Sequence, residues 1–160
     1  MARRFGHVSE ARVLSGPGLA ALYEFLKTRD GAPEPAWLAD QLAAGDPSEV
    51  ISRCGLSGQS PRCAQALAWF AEIFGAVAGN CSLRVLPHGG FYLGGGIAPK
   101  ILPALRDGAF VRAFTDKGRL APLLAAIPVR VLLEERTALY GAAHHGAALL
   151  RAMAESEGVR

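Results

Sequence analysis

The chain has 160 residues, of which 51% are hydrophobic and 19% charged, and its net charge is +3. This length and composition suit one domain with a sizeable core and exclude an intrinsically disordered chain. Because the net charge is small and Lys and Arg are scattered, we expect neither a nucleic-acid partner nor a membrane partner.

The cysteines and the apolar stretches of the sequence indicate the cellular compartment of the protein. Cys54, Cys63 and Cys81 form no C-x-x-C pair and have no histidines at metal-ligand spacing, so we predict no metal site. An odd number of cysteines without a signal peptide is typical of reduced thiols in the cytoplasm. Arg, Glu, Gly or Pro interrupts the longest apolar stretches, so we also expect no transmembrane helix.

Helix signals dominate the first part of the chain. Ser15 can cap a helix in which leucines recur at helical spacing over 17–27. Glycine and prolines predict a loop within 29–37, followed by a short helix within 35–44. The segment D-P-S-E at 46–49 is a capping-box pattern and predicts another short helix that ends at about Arg53, followed by a loop at 55–60.

The longest predicted helix begins at Ser60 and Pro61 and extends to about Arg84. Its apolar residues are three and four apart, and alanine and glycine fill much of the remaining surface. We therefore expect a helix that is buried on most sides and packs under the sheet, with Cys63 and Cys81 in the core.

Short strands and helices alternate in the second part of the chain. Strands are predicted at 91–94 and 129–133, with helices at 99–105, 108–114 and 118–126 between them and a last helix that starts at Thr137 and carries an apolar stripe. Strands separated by helices predict a parallel pair. Since two strands make a poor sheet, we expect another strand in the first dozen residues and further strands from protein outside this chain. The fold class is α/β, helix-rich, with a small mixed sheet.

A glycine turn stands between the first strand and the helix after it. Gly94, Gly95 and Gly96 follow the apolar run Phe91–Leu93. Because glycine has no Cβ, the backbone of such a turn can approach a phosphate, ribose or purine closely. An ordinary tight turn would also explain the three glycines. The segment lacks G-x-G-x-x-G spacing, and no G-K-[ST] follows it, so it is neither a dinucleotide fingerprint nor a P-loop.

Four segments in order resemble the C-terminal portion of the bacterial glucokinases, an ATP-dependent family with an actin-like ATPase fold. They are GHVSEARVLSGPGLAALY at 6–23, GGFYLGGGIAPKIL at 89–102, FVRAFTDKGRLAPLLAAIPVRVLL at 110–133 and LYGAAHH at 139–145. The combination of G-G-I-x-P, D-K-G-R and I-P-V is specific, and the four segments together cover nearly the whole chain. The first segment departs from the family pattern, because its acid, Glu10, stands one place earlier than usual.

The resemblance implies a fold and a reaction. The fold is the C-terminal lobe of an actin-like, ribonuclease H-like ATPase, with residues 1–160 as a single truncated lobe. The reaction is transfer of the γ-phosphoryl group of ATP, with Mg²⁺, to the 6-hydroxyl of glucose, giving glucose 6-phosphate. The family's glycine pair matches Gly95 and Gly96, so we predict nucleotide contacts at Gly94, Gly95, Gly96, Ser15 and Gly16. A helix cap explains Ser15 and Gly16 fully and is the preferred interpretation of these two residues.

Several functional motifs of the family do not occur in this sequence. The resemblance implies a D-x-G-G-T phosphate loop, a carboxylate base, a second glycine motif and a sugar-binding E-G-G-H segment in the N-terminal part, and the sequence contains none of these motifs. Some members place a sugar-binding glutamate where this chain has Arg4, which cannot accept a hydrogen bond from a hydroxyl. We therefore predict no catalytic residue here and a fragment that is inert alone. The alternative is a non-catalytic nucleotide-binding or interaction module, and a homodimer remains open.

The other polar candidates are interpreted as structural or solvated. His7 is expected to be a satisfied structural histidine, and the D-K-G-R segment at 116–119 a turn with solvated charges. The two acids at 134–135 are interpreted as solvated loop residues. His144 and His145 are adjacent in a helix, so they point to different faces and do not share a metal ion.

Overall fold

Ten helices and two strands make up the part of the chain that the computed structural model describes, residues 6–157. In chain order they are α1 (Glu10–Val13), α2 (Gly16–Asp30), α3 (Ala36–Ala44), α4 (Pro47–Leu56), α5 (Pro61–Val85), β1 (Phe91–Leu93), α6 (Ile97–Lys100), α7 (Leu102–Arg106), α8 (Ala109–Thr115), α9 (Ala121–Ala125), β2 (Val129–Val131) and α10 (Thr137–Glu157), with a 3₁₀ turn at Gly118–Leu120. Arg4 lies outside the described residues, so the loss of a sugar contact there stays a prediction.

The central element is α5, and its sequence explains where it starts and what it contacts. The Ser60 hydroxyl accepts a hydrogen bond from the Cys63 backbone N–H at 3.3 Å, and Pro61 occupies the first turn. Nine residues of α5 are buried. The helix packs chiefly against α8, α4 and α2, so the expectation that it lies directly under the sheet is wrong. Cys63 is in the core as predicted, whereas Cys81 is only half-buried.

Two glycines bring the backbones of α5 and α8 together. A Cβ at Gly75 would overlap the Phe110 carbonyl oxygen, and one at Gly79 would overlap that of Phe114. Because hydrogen atoms take the place of side chains at these positions, the two helices pack closely. Phe110 and Phe114 then stack with ring centroids 6.1 Å apart, and the Phe91 ring of β1 lies 6.3 Å from Phe114. The helix α8 thus lies between α5 and the sheet.

The sheet has two strands in the described residues, and they are parallel. Phe91 pairs with Val129 and Leu93 with Val131. The parallel pair is confirmed, but the predicted mixed sheet is wrong for this part of the chain. Of the first dozen residues, those at 6–9 form no strand and those at 10–12 belong to the helix α1, so the described part of this segment adds no strand.

Two helices are longer than predicted. The helix α2 extends to Asp30 and ends at Gly31, whose φ of +63° lies in the left-handed region that glycine adopts readily. The helix α4 extends to Leu56 and α3 begins at Ala36, so the predicted loops at 29–37 and 55–60 are shorter.

The long helices α5 and α10 both carry many apolar residues, but only α5 is covered. By length and composition alone α5 could cross a membrane, contrary to the expectation that no segment would qualify. Its position in the core, between α2, α4 and α8, explains this composition. The apolar stripe on α10 has the opposite environment, because its large side chains are more than half exposed; they are Leu139, Tyr140, Leu149, Leu150 and Met153.

Candidate functional site

A cavity of about 800 Å³ opens where α2, α4 and α6 meet above α5. Three of the five predicted nucleotide contacts, Ser15, Gly16 and Gly96, line this cavity, although the first two are distant in sequence from the third. Gly94 and Gly95 belong to the turn beside the cavity and do not line it. The fold thus brings two of the predicted segments to one place.

The glycine turn forms one edge of the cavity. Gly95 has a φ of +93°, a conformation that side-chain-bearing residues rarely adopt, and its missing Cβ would meet open space. Gly96 caps the four-residue helix α6, and a Cβ there would lie 3.8 Å from a carboxylate oxygen of Glu135. All three glycines are exposed, so the backbone of the turn is accessible to a ligand.

The start of α2 forms the second wall. The Ser15 hydroxyl accepts a hydrogen bond from the Gly18 N–H at 3.2 Å, which confirms its role as a helix cap. Gly16 lies against Ser48 of α4, because a Cβ at Gly16 would be 3.0 Å from the Ser48 hydroxyl oxygen. The two helices therefore pack closely beside the cavity.

The third wall is one face of α4. Glu49, Ser52, Arg53 and Leu56 follow the spacing that places side chains on one side of a helix, and all four line the cavity. Asp46, at the start of α4, accepts hydrogen bonds from Ser48 Oγ at 2.7 Å and from the Ser48 N–H at 2.8 Å.

Hydrogen bonds fix the polar groups of this wall. The bonds from Ser48 lower the pKa of the Asp46 carboxyl, with a smaller contribution from the positive charge of Lys100. Ser52 Oγ donates to the Ser48 carbonyl oxygen at 2.7 Å. A guanidinium nitrogen of Arg53 donates to Gln41 Oε1 at 2.8 Å.

Apolar side chains make up the rest of the cavity lining. Phe70 and Ile101 are 1% exposed and lie at the bottom. Leu56 of α4 and Ile97 of α6 line the walls and are 38% and 36% exposed, so their apolar surfaces are accessible to a ligand. An apolar surface with hydroxyls and charges beside it suits a ring that carries polar substituents.

Metal-binding and acid–base groups are sparse in the same region. Within residues 6–157, no three His, Cys, Asp or Glu side chains gather in a way that could hold a metal ion. Asp46 and Glu49 are the carboxylates of the cavity, and Lys100 and Arg53 are its cations. This arrangement can bind and orient a ligand.

The other predicted candidates lie away from the cavity. Lys117 is half-buried, and its ammonium group donates to the Ala76 carbonyl oxygen of α5 at 3.1 Å, so the prediction of solvated charges throughout 116–119 is wrong for this residue. Glu134 is exposed and pairs with Arg136 at 3.0 Å, as expected for a loop acid. His7, His144 and His145 are also exposed.

A buried tyrosine cluster on α2 was not predicted from the sequence. Tyr23 is fully buried, and its hydroxyl donates to the Glu34 carboxylate, which also accepts a hydrogen bond from Lys27 at 2.9 Å. Burial, followed by the bond to Glu34, raises the pKa of Tyr23. Burial opposes ionisation of Glu34, but the bonds from Tyr23 and Lys27 lower its pKa. The cluster ties the loop after α2 to that helix.

Comparison with known proteins gives a consistent result. A family model described as Glucokinase matches residues 1–149. The glucokinase of Nostoc sp. (strain PCC 7120) is 42% identical over 147 residues, covering 85% of this chain and 43% of that protein. The glucokinase of Chromobacterium violaceum is 45% identical over 142 residues, covering 89% and 38%.

A solved structure agrees with these sequence matches. The crystal structure of a glucokinase from an Antarctic psychrotroph matches with a TM-score of 0.73 and 30% identity, over 89% of this chain and 41% of that one. The chain matches the C-terminal portion of such proteins and spans about two fifths of their length.

Proposed function

Because the chain belongs to the glucokinase family, we propose that it serves the ATP-dependent phosphorylation of glucose and that its own task is to hold the adenosine part of ATP. The observation that carries this proposal is the cavity that Ser15, Gly16 and Gly96 line together. Its volume of about 800 Å³ falls within the usual range of small-molecule sites.

The walls of the cavity match the parts of a nucleotide. Leu56 and Ile97 offer exposed apolar surfaces to a base, beside the buried ring of Phe70. The hydroxyls and carboxylates at the rim suit the ribose hydroxyls. Lys100 and the open backbone of the glycine turn suit phosphate oxygens, since glycine lets N–H groups approach an anion closely.

Phosphoryl transfer itself needs groups that this sequence does not contain. The reaction depends on positioning of the two substrates and on neutralisation of phosphate charge. Bound Mg²⁺ supplies part of that neutralisation, and it is usually held by one or two carboxylates together with substrate phosphates. The D-x-G-G-T, G-T-G-x-G and E-G-G-H motifs do not occur in the 160 residues. We therefore infer that the 160 residues alone bind the nucleotide but do not phosphorylate glucose.

Calorimetric titration with ATP, with and without glucose, tests the proposal. We expect binding whose affinity does not change when glucose is added, because the groups proposed to bind the nucleotide lie within this chain. A coupled assay for glucose 6-phosphate should detect no product. Absence of binding at millimolar ATP would refute the nucleotide site, and glucose-dependent ATP turnover would refute the inference that the chain alone is inert.

A second candidate function is supported by the exposed face of α10. Leu139, Leu149 and Leu150 are each more than half exposed on this helix, which is typical of a surface that another protein covers. An interaction module of this kind would bind nucleotide without any role in catalysis. Sedimentation analysis of the purified chain distinguishes the interaction module from the nucleotide-binding part of a kinase. A homodimer that Leu150→Glu dissociates would favour the interaction module.

A further inference from the structure

The outer edge of β2 has no neighbouring strand within residues 6–157. On the side that faces β1, the Leu132 N–H donates to the Leu93 carbonyl oxygen at 2.9 Å, and the Pro128 carbonyl oxygen accepts from the first residue of β1 at 2.8 Å. Backbone groups alternate in direction along a strand, so the N–H and C=O groups of Val129 and Val131 point away from β1. They form a row with which a further strand can pair.

An apolar groove of about 590 Å³ lies beside this edge. Val129, Val131 and Leu133 line it from the strand, and Phe110 and Val111 line it from α8. Leu133 is 66% exposed and Val111 is 53% exposed. Unpaired backbone groups next to exposed apolar side chains are typical of a surface that another strand covers.

The charges at the groove indicate what kind of strand fits. The charged residues of its lining are Arg106 and Arg130, and both are exposed. A matching strand should therefore carry acids at its end. Glu134 and Glu135 follow β2 directly and are exposed as well. Because β2 thus carries both an arginine and the acids that complement it, a second copy of this chain meets the requirement.

We propose that two copies of this chain pair through their β2 edges, antiparallel about a two-fold axis at Val131. In this register Val131 faces Val131 of the second copy, and Val129 faces its Leu133. The outward backbone groups then bond across the axis, and each exposed Leu133 covers the groove of the other copy. The same patch is used by both copies, as a two-fold interface requires. This inference does not depend on the nucleotide site.

Charge distinguishes this register from the neighbouring one. An axis at Arg130 would place two arginines directly opposite each other, which destabilises a strand pair. The axis at Val131 places Arg130 opposite Leu132 of the second copy and diagonal to its Glu134. Long side chains reach such diagonal neighbours, so the pair of opposite charges is attractive.

Sedimentation equilibrium of the purified chain, whose mass is 16.8 kDa, measures the dimer. A small interface gives a dissociation constant in the micromolar range, so we expect twice this mass at a chain concentration of about 100 µM. Leu133→Glu puts a charge into the apolar contact and should raise the dissociation constant about tenfold or more. Val131→Pro should do the same, because it removes an outward N–H that the pairing with β1 does not use.

Two matched controls carry the same substitutions at other surfaces. Leu150→Glu changes a leucine that is 70% exposed on α10, and Tyr92→Pro removes an N–H at the outer edge of β1. Both should leave the dissociation constant unchanged. Thermal melting of each variant verifies that it is folded, and if Val131→Pro does not fold, Leu133→Glu decides.

An exchange of charges tests the register. Arg130→Glu and Glu134→Arg should each weaken the dimer, and the double variant should restore it, because the diagonal pair is then attractive again. Two single variants that weaken the dimer without restoration in the double variant would overturn the axis at Val131. A wild-type chain that stays monomeric at about 100 µM would overturn the proposal. A dimer that Leu150→Glu weakens and Leu133→Glu does not would overturn the assignment to β2 and place the interface on α10.

Discussion

Removal of the Tyr23 hydroxyl tests whether the buried cluster on α2 stabilises the fold. Tyr23 is fully buried and donates to the Glu34 carboxylate, whose second oxygen accepts from Lys27 at 2.9 Å. In Tyr23→Phe the ring still packs, but Glu34 loses one of its two partners. A hydrogen bond to a charged group contributes about 1.5–3 kcal/mol, so we expect the free energy of unfolding to fall by about 2 kcal/mol.

Urea denaturation at pH 7 measures this loss. With a dependence on urea of about 2 kcal/mol per molar, the midpoint should fall by about 1 M. Tyr140→Phe is the control, because Tyr140 is 53% exposed on α10 and its hydroxyl removal should leave the midpoint unchanged. An unchanged midpoint in Tyr23→Phe would show that the hydroxyl contributes nothing.

The pH dependence of the wild-type chain gives the same cluster a second test. Burial raises the pKa of Tyr23 in the folded state, so the unfolded chain loses the phenol proton first as the pH rises. The stability contributed by Tyr23 is present below its unfolded pKa of about 10 and is lost above that value. Tyr23→Phe should therefore lose less stability than wild type between about pH 9 and pH 11. Equal losses would refute the reasoning.

Three further predictions follow from other contacts. Gly75→Ala places a Cβ against the Phe110 carbonyl oxygen and should destabilise the fold by about 1–3 kcal/mol in chemical denaturation. The control Gly141→Ala on α10 places a Cβ that meets no atom within 4 Å, so it should not destabilise the fold. Equal effects of the two variants would contradict the close packing of α5 and α8. Ile97→Ala removes one of the apolar side chains that line the cavity and should weaken ADP binding about tenfold in calorimetry. The helical circular dichroism should not change. An unchanged affinity would mean that the base binds elsewhere. The pKa of Glu34 is lowered in the folded state, so the stability that this carboxylate contributes is present above its unfolded pKa of about 4.3 and is lost as the pH falls through the lower folded pKa. Glu34→Gln should remove this acid dependence of stability from urea denaturation curves measured at several pH values. An unaltered dependence would exclude Glu34 as its source.

The starts of the long helices were predicted well, because capping residues can be identified from the sequence. Ser15, Asp46 and Ser60 each accept a backbone hydrogen bond at the start of the helix that follows. The ends were less well predicted, since tertiary packing extends α2 and α4 beyond the loop signals. The position of α5 was also mispredicted, because the periodicity of a helix shows which residues are buried but not which element buries them.

The candidate site was only partly predictable for a related reason. The resemblance to a family identified Ser15, Gly16 and Gly96, and the structure places all three around one cavity. The wall formed by Glu49, Ser52 and Leu56 was missed, because their spacing on α4 marks a helix face without showing what that face meets. The hydrogen bonds that the Ser48 and Ser52 hydroxyls donate depend on rotamers, which the sequence does not specify.

A crystal structure of the 160-residue chain with ADP tests the central claim most directly. The proposal predicts the adenine ring in this cavity, against Leu56 and Ile97, with the phosphates toward Lys100 and the glycine turn. ADP bound at another place on the chain, with this cavity empty, would contradict the assignment of the cavity as the nucleotide site.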